Sequence, residues 1–282
     1  MSGYLEGVLV LLAINVILAY AAFLPIVAGQ LNLGVAGFMA TGAYLSAYLT
    51  NAHGWPPLPA VLLATLLTAG LGLVVAFPIL RTRGIYLALA TFAFGQVAVA
   101  IILNLDVVGG ASGYPIRAYI GFPAIAAAAV LVFAAIYCLF HTRFGISVTA
   151  VSDDELVADQ MGLSVRGLQA AAFTIGSAVA GLAGALHAHH FSYIEAQYFN
   201  VLLSIYIVLY VLLGGTQTIY GPLLGAAVFT LLPEVLRGAA QWRYVIFAGL
   251  ILALMTWRPQ GVVTRSLLRR LFEWRRSPVE VT

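Results

Sequence analysis

No lysine occurs among the 282 residues; all thirteen basic side chains are arginine. A Walker A loop grips phosphate with a lysine, so nucleotide hydrolysis of that kind is excluded, as is Schiff-base chemistry. Any ATP-driven work has to be done by another chain. Cys138 is the only cysteine, which rules out an intrachain disulfide and argues against a cysteine-based zinc site. Charge is scarce as well. Charged residues make up 8% of the chain, against roughly 25% in soluble domains. Hydrophobic residues supply 62%, and the mean hydropathy is +1.02. This composition belongs to a polytopic membrane protein. A transmembrane helix needs about 20 apolar residues, so the length leaves room for roughly eight to ten spans. The apolar runs are continuous rather than alternating, which argues against a membrane β-barrel. The first run, residues 7–28, is too long for a signal-peptide core and has no basic flank. The net charge of +3 does not point to nucleic acid; the arginines gather at span ends, where they orient a protein in the bilayer.

The longest polar interruption runs over residues 141–166, HTRFGISVTAVSDDELVADQMGLSVR. Asp153, Asp154, Glu155 and Asp159 stand within it, between apolar runs at 122–140 and 168–186. Ser152 is the expected N-cap of a short helix, the acids that follow suit the positive end of its dipole, and Gly162 is the expected stop. On that helix Leu156, Gln160 and Leu163 fall near one face, with Val157 and Met161 beside them. A short amphipathic helix between two spans reads as a docking point for something in the aqueous phase; the alternative is a solvated acidic loop.

In chain order, span one covers residues 7–28. The stretch GQLNLGVAGFMATGAYLSAYL, 29–49, is broken by Gly29, Gly34, Gly37 and Gly42 and made polar by Gln30, Asn32, Thr41 and Tyr44. It reads either as an interrupted or re-entrant helix lining a cavity or as ordinary small-residue packing. Further spans are expected at 58–80, at 85–103 (with Tyr86, Thr91 and Gln96) and at 122–140. Arg81 and Arg83 place the loop between 80 and 85 inside. The outer loop 104–121 carries Gly109, Gly110 and Gly113, an expectation of unrestrained backbone. A span at 167–186 presents Gly176, Ser177, Ala180, Gly181, Ala183 and Gly184, a nearly bare face that predicts close packing on another helix. His187, His189 and His190 then read as interfacial histidines at a helix end, with a metal site the lesser alternative. Short spans at 201–213 and up to 232 flank GGTQTIYGP and read as half-helices; a last span is expected at 244–257. Residues 1–257 thus form one transmembrane domain that contains the loop 141–166. Residues 258–282 form a basic cytoplasmic tail, in which Leu267, Leu268, Leu271, Phe272 and Trp274 outline an interfacial helix. The segments near Glu195 and at 237–243 fall outside, and the side of the N-terminus stays open between two full spans before residue 58 and a re-entrant second segment. The fold class is an all-α, polytopic membrane bundle with interrupted or re-entrant helices. A loose echo links 29–44 with 215–229: both are glycine-spaced, polar-started breaks after an apolar run.

Five blocks follow one another in order: GQLNLGVAGFMATGAYLSAYL, RTRGIYLALATFAFGQ, TRFGISVTAVSDDELVADQMGLSV, AFTIGSAVAGLAGAL and YVLLGGTQTIYGPLLGAAVFTLLPEVLR. Together they resemble the permease subunits of bacterial branched-chain amino acid ABC importers, the LivM type, over residues 29–261. The resemblance implies a non-catalytic subunit of the inner membrane. Its implied partners are a second, similar permease, two ATP-binding subunits that hold the ATP and Mg, and a periplasmic binding protein. This chain itself binds no cofactor or metal in that picture. The coupling helix of the family falls at 153–162, with Asp153, Asp154, Glu155, Ala158, Met161 and Gly162 as contact candidates. The family's Glu-Ala-Ala…Gly pattern is kept at Glu155 and Gly162, while Leu156 and Val157 replace small residues. The implied translocation path runs between two permeases; Gln30, Asn32, Thr41, Tyr44, Tyr86, Thr91 and Gln96 are its candidates here. Relatives in the family import urea, amides or other small solutes, so the resemblance does not fix the substrate.

Two rival classes make demands of their own on the sequence. An ion-coupled transporter needs ionisable groups in the membrane interior, yet Asp106, Glu195 and Glu234 all lie near span ends. A membrane enzyme needs a nucleophile–base pair or metal-ligand set, and only His187, His189 and His190 offer one.

Overall fold

The computed structural model describes residues 3–236 and, beyond them, only single positions between 245 and 261. The expected outer segment 237–243 and the basic tail (except Gly261) lie outside the described residues, as does most of the expected span 244–257. Ten helices follow in order among the described residues: α1 Gly3–Val27, α2 Val35–His53, α3 Pro57–Ile79, α4 Ile85–Leu103, α5 Phe122–Phe140, α6 Arg143–Asp153, α7 Glu155–Gln160, α8 Val165–Phe191, α9 Val201–Gly214 and α10 Tyr220–Val235. Two short strands, β1 Tyr114–Pro115 and β2 Tyr193–Ile194, pair antiparallel. Five helices, α1, α3, α4, α5 and α8, are long and apolar enough to cross a bilayer.

Burial sorts the helices into a centre and a rim. In α1 and α8, 67% of the most apolar window is buried; in α3, α4 and α5 it is 22–33%. A helix apolar all round and buried all round belongs in the middle of a bundle. What makes the centre compact is the bare face of α8. A Cβ on Gly184 would collide with the Met39 carbonyl of α2, and one on Gly42 with the Gly181 backbone. Gly176 lies against Ala21 and Pro25 of α1, and Ser177 and Gly181 against Gly72 and Thr68 of α3. The expected close packing is present, and it is made to three helices rather than one. In lipid, where apolar burial gives no net drive, such backbone approach is a main source of helix association.

Orientation follows from the ends. Arg81 and Arg83 sit between α3 and α4, and Arg143 and Arg166 flank the pair α6–α7, so this end is cytoplasmic. The break between α1 and α2 lies at the same end, because Gly29 approaches Glu155. Helix α2 then runs outward: Leu33 before it donates to Thr91 Oγ1 on α4 (3.0 Å), and Asn51 near its end donates to Pro115 O of the outer loop (2.6 Å). At 19 residues it is about 28 Å long. The segment 29–49 is therefore one short break followed by a continuous crossing helix, not a re-entrant one, and Gly3 lies outside. Helices α9 and α10 are the short pair, with 14 and 16 residues. At 1.5 Å per residue each falls short of the roughly 30 Å hydrocarbon core. Tyr20 O–H donates to Ile219 O (2.9 Å) and Asn15 to Thr230 Oγ1 (2.9 Å), which sets α10 antiparallel to α1.

The outer loop departs from expectation. It is tied down rather than unrestrained. Gly109, Gly110 and Gly113 take positive φ to fold it into tight turns. β1 pairs with β2, and Tyr193 O–H donates to Ser112 O (2.6 Å). His189 Nδ1 and His190 Nδ1 lie 3.0 Å from the Ala118 and Ile120 carbonyls. The helix-end histidines thus hold this cap, and His187 stacks on Tyr198 with ring centroids 4.9 Å apart.

Candidate functional site

The acidic stretch folds into two helices, where sequence reading had one short helix in a loop. In α6, Gly145, Val148 and Val151 recur every third residue and are buried. One extended residue, Asp154 (φ −158°, ψ 111°), separates α6 from α7. Its carboxylate accepts from Leu156 N (2.9 Å) and Val157 N (3.1 Å), so Asp154 is the N-cap; Ser152 lies exposed within α6. Both residue types cap well, and the shared linker decides for the later one. At the other end Gly162 takes φ +83°; its N–H donates to Asp159 O (2.9 Å) and that of Leu163 to Ala158 O (3.1 Å). This left-handed closure stops α7 as expected.

The two faces of α7 differ. Outward, Leu156, Val157 and Met161 are 73%, 51% and 78% exposed. Inward, Ala158 is buried and Glu155 is held. Gln169 Nε2 on α8 donates to Glu155 Oε1 (2.9 Å) and also reaches the Ala28 carbonyl at the end of α1 (3.3 Å). Arg83 of the α3–α4 turn stands 3.6 Å from Glu155 Oε2. That pair is largely exposed and contributes roughly 0–1 kcal/mol. Its geometric consequence is larger: one carboxylate meets Gln169 of α8 and Arg83 ahead of α4, and Gln169 carries the link on to the end of α1. Asp153 ends α6 and is exposed. Sequence reading missed Gln169 and Arg83 as partners of Glu155; the available signal was a lone amide in the first turns of an apolar helix.

The path candidates divide into three groups. Asn32 and Thr91 meet at the α1–α2 break, where Asn32 Oδ1 accepts from Gly34 N (2.8 Å) and Thr91 Oγ1 accepts from Leu33 N; Gln30 is buried in the same break with no hydrogen bond to either. Ser204 of α9, not foreseen, accepts from Ala36 N there (3.0 Å). Thr41 and Tyr44 line an apolar groove of about 490 Å³ between α2 and α4. Tyr86 and Gln96 are exposed on α4 and join neither group.

A multi-helix bundle with a glycine-packed centre, a break pinned by side-chain hydrogen bonds and a cytoplasmic helix clamped from behind is now in place. Residues 4–256 match the family described as "Branched-chain amino acid transport system / permease component". The chain belongs to this permease family. It is 30% identical to the high-affinity branched-chain amino acid transport system permease protein LivM of Escherichia coli K12, and 29% identical to that of Salmonella typhimurium LT2. Each match covers 83% of this chain and 64% of the relative, so the chain spans under two thirds of the length of these relatives. A more limited likeness, 37% over 131 residues (44% of this chain, 37% of the relative), links it to the autoinducer 2 import system permease LsrC of Yersinia pestis. No solved structure matches. As a permease-family member with five bilayer-length apolar helices, it is a multi-pass inner-membrane protein.

Proposed function

We propose that this permease is the membrane subunit of an ATP-driven importer of branched-chain amino acids. It works with a second permease, two ATP-binding subunits that carry ATP and Mg, and a periplasmic binding protein. The two-faced helix α7 carries the reading: three large apolar side chains project into the aqueous phase, while Glu155 ties the same helix to α8 and to the α3–α4 turn. An exposed apolar cluster on a water-facing helix is the mark of a partner site. A chain without lysine has no Walker A loop of its own to drive such a partner. Asp153, Asp154, Glu155, Ala158, Met161 and Gly162 are its coupling residues. ATP-driven closure of the partner subunits moves α7, and the α1–α2 break moves with it. Gln30, Asn32 and Thr91 are the polar wall of the path at that break.

The test is uptake of L-leucine, L-isoleucine and L-valine by the reconstituted complex. Uptake that needs both ATP and the ATP-binding subunits supports the reading; uptake driven by a proton gradient without those subunits overturns it. A solute other than an amino acid is the second reading, supported by the partial likeness to the autoinducer 2 permease. Competition between solutes in the same assay separates the two.

A further inference from the structure

A cavity of about 590 Å³ opens at the cytoplasmic end between α7, the α3–α4 turn and the start of α8. This lies within the roughly 300–1,000 Å³ usual for small-ligand sites. Its wall mixes charge: Arg81, Arg83 and Arg166 line it together with Glu155 and Asp159. Leu87 and Val165 add apolar surface. Gln30 lines the same cavity from the α1–α2 break, 2% exposed, and neither its amide nitrogen nor its amide oxygen has a hydrogen-bond partner. A buried polar group left unpaired costs about 1–3 kcal/mol. Here a donor and an acceptor sit side by side in one wall.

We propose that this cavity binds a free aliphatic α-amino acid from the cytoplasmic side. The ligand's carboxylate suits the arginines, its ammonium suits Glu155 and Asp159, and the Gln30 amide can serve either group. Its side chain lies against Leu87 and Val165. A simple anion meets two carboxylates in this wall, and a purely apolar molecule leaves Gln30 unsatisfied. Since α7 supplies Glu155 and Asp159, occupancy binds α7 to α8 and to the α3–α4 turn. By reciprocity, the position of α7 sets the affinity and the ligand biases the position of α7. That the ligand is also the imported product rests on the proposed function; the site itself rests on the cavity's chemistry.

The test uses the full chain with its native partners in inside-out vesicles. Cys138→Ser removes the only native thiol, and Val165→Cys places one on the cavity wall. A water-soluble maleimide then reads accessibility. L-leucine at ten times its Kd is expected to slow labelling about tenfold, while leucinol, which lacks the carboxylate, and 4-methylpentanoate, which lacks the ammonium, leave it unchanged. Gln30→Leu abolishes the protection. Should that variant fail to insert, Arg166→Gln and Asp159→Asn, both at exposed positions, each weaken it. Absence of leucine protection, equal protection by inorganic phosphate, or equal protection by 4-methylpentanoate overturns the site. Protection that persists in a complex with no ATP-dependent leucine uptake upholds the site and overturns the importer reading instead.

Discussion

Helices α8 and α7 solve opposite problems within thirty residues of each other. One face of the middle of α8 is stripped to Gly, Ser and Ala, and three neighbours close on its backbone. The outer face of α7 carries Leu156, Val157 and Met161 into water. A bare buried face fixes distances, because nothing in it can yield. A bulky exposed face waits for a surface to cover it. Adjacent in sequence, the two make a stiff lever with a replaceable contact at its tip. Gln169 joins the two, since it sits on α8 and holds Glu155 of α7.

The sharpest way to break this contrast is to enlarge α8. Gly184→Val drives a branched side chain into the Met39 carbonyl. Overpacking of this kind costs about 1–3 kcal/mol, occasionally more, and backbone cannot move as a side chain can. Thermal unfolding in detergent should show a large loss of stability and of inserted protein. A variant as stable as the parent means that α2 and α8 are not in contact at Met39.

Next come the two faces of α7. Glu155→Gln keeps the shape but weakens the charge-assisted bond to Gln169 and the pairing with Arg83. ATP hydrolysis is expected to continue while uptake falls several-fold. Ala158→Leu pushes α7 off the bundle through a residue that is 2% exposed, and should uncouple in the same way. Met161→Glu changes a residue 78% exposed, so the subunit should insert and melt normally yet lose the proposed ATP-binding subunits in co-purification. Retained co-purification in that variant places the partner elsewhere.

Much of this was legible in the sequence. Hydropathy located the long spans, and the run Gly176 to Gly184 announced a close-packed face before its neighbours were known. Other features depended on contacts that pattern does not carry. Ser152 and Asp154 are equally good caps; the choice turned on Asp154 being the single extended residue between two helices. Helix α6 escaped notice because its buried Gly145, Val148 and Val151 are spread among Thr and Ser. The glycines of the outer loop suggested freedom, whereas here positive φ serves folded turns held by His189, His190 and Tyr193. Asn32 and Thr91 stand out in the sequence for polarity alone, and the break brings them together at Gly34; Tyr86 and Gln96 stand out on the same ground and lie exposed on α4.

The smallest expected effect lies at the hinge between the two regions. Gly162 ends α7 with φ +83°, and a Cβ there meets nothing within 4 Å. Space is not the constraint; backbone conformation is. Placing an ordinary L-residue in the left-handed region costs roughly 1–2 kcal/mol, less for Asn. Gly162→Ala should therefore loosen the last turn of α7 without touching the bundle, and Gly162→Asn should loosen it less. Hydrogen exchange at the amides of Gly162 and Leu163, which donate to Asp159 O and Ala158 O, reads this directly. Exchange should quicken about tenfold in the Ala variant, as a change near 1.4 kcal/mol implies, with α8 amides unaffected. Equal exchange in all three proteins means that the left-handed closure does not hold α7, and that Glu155 alone sets where the helix ends its travel.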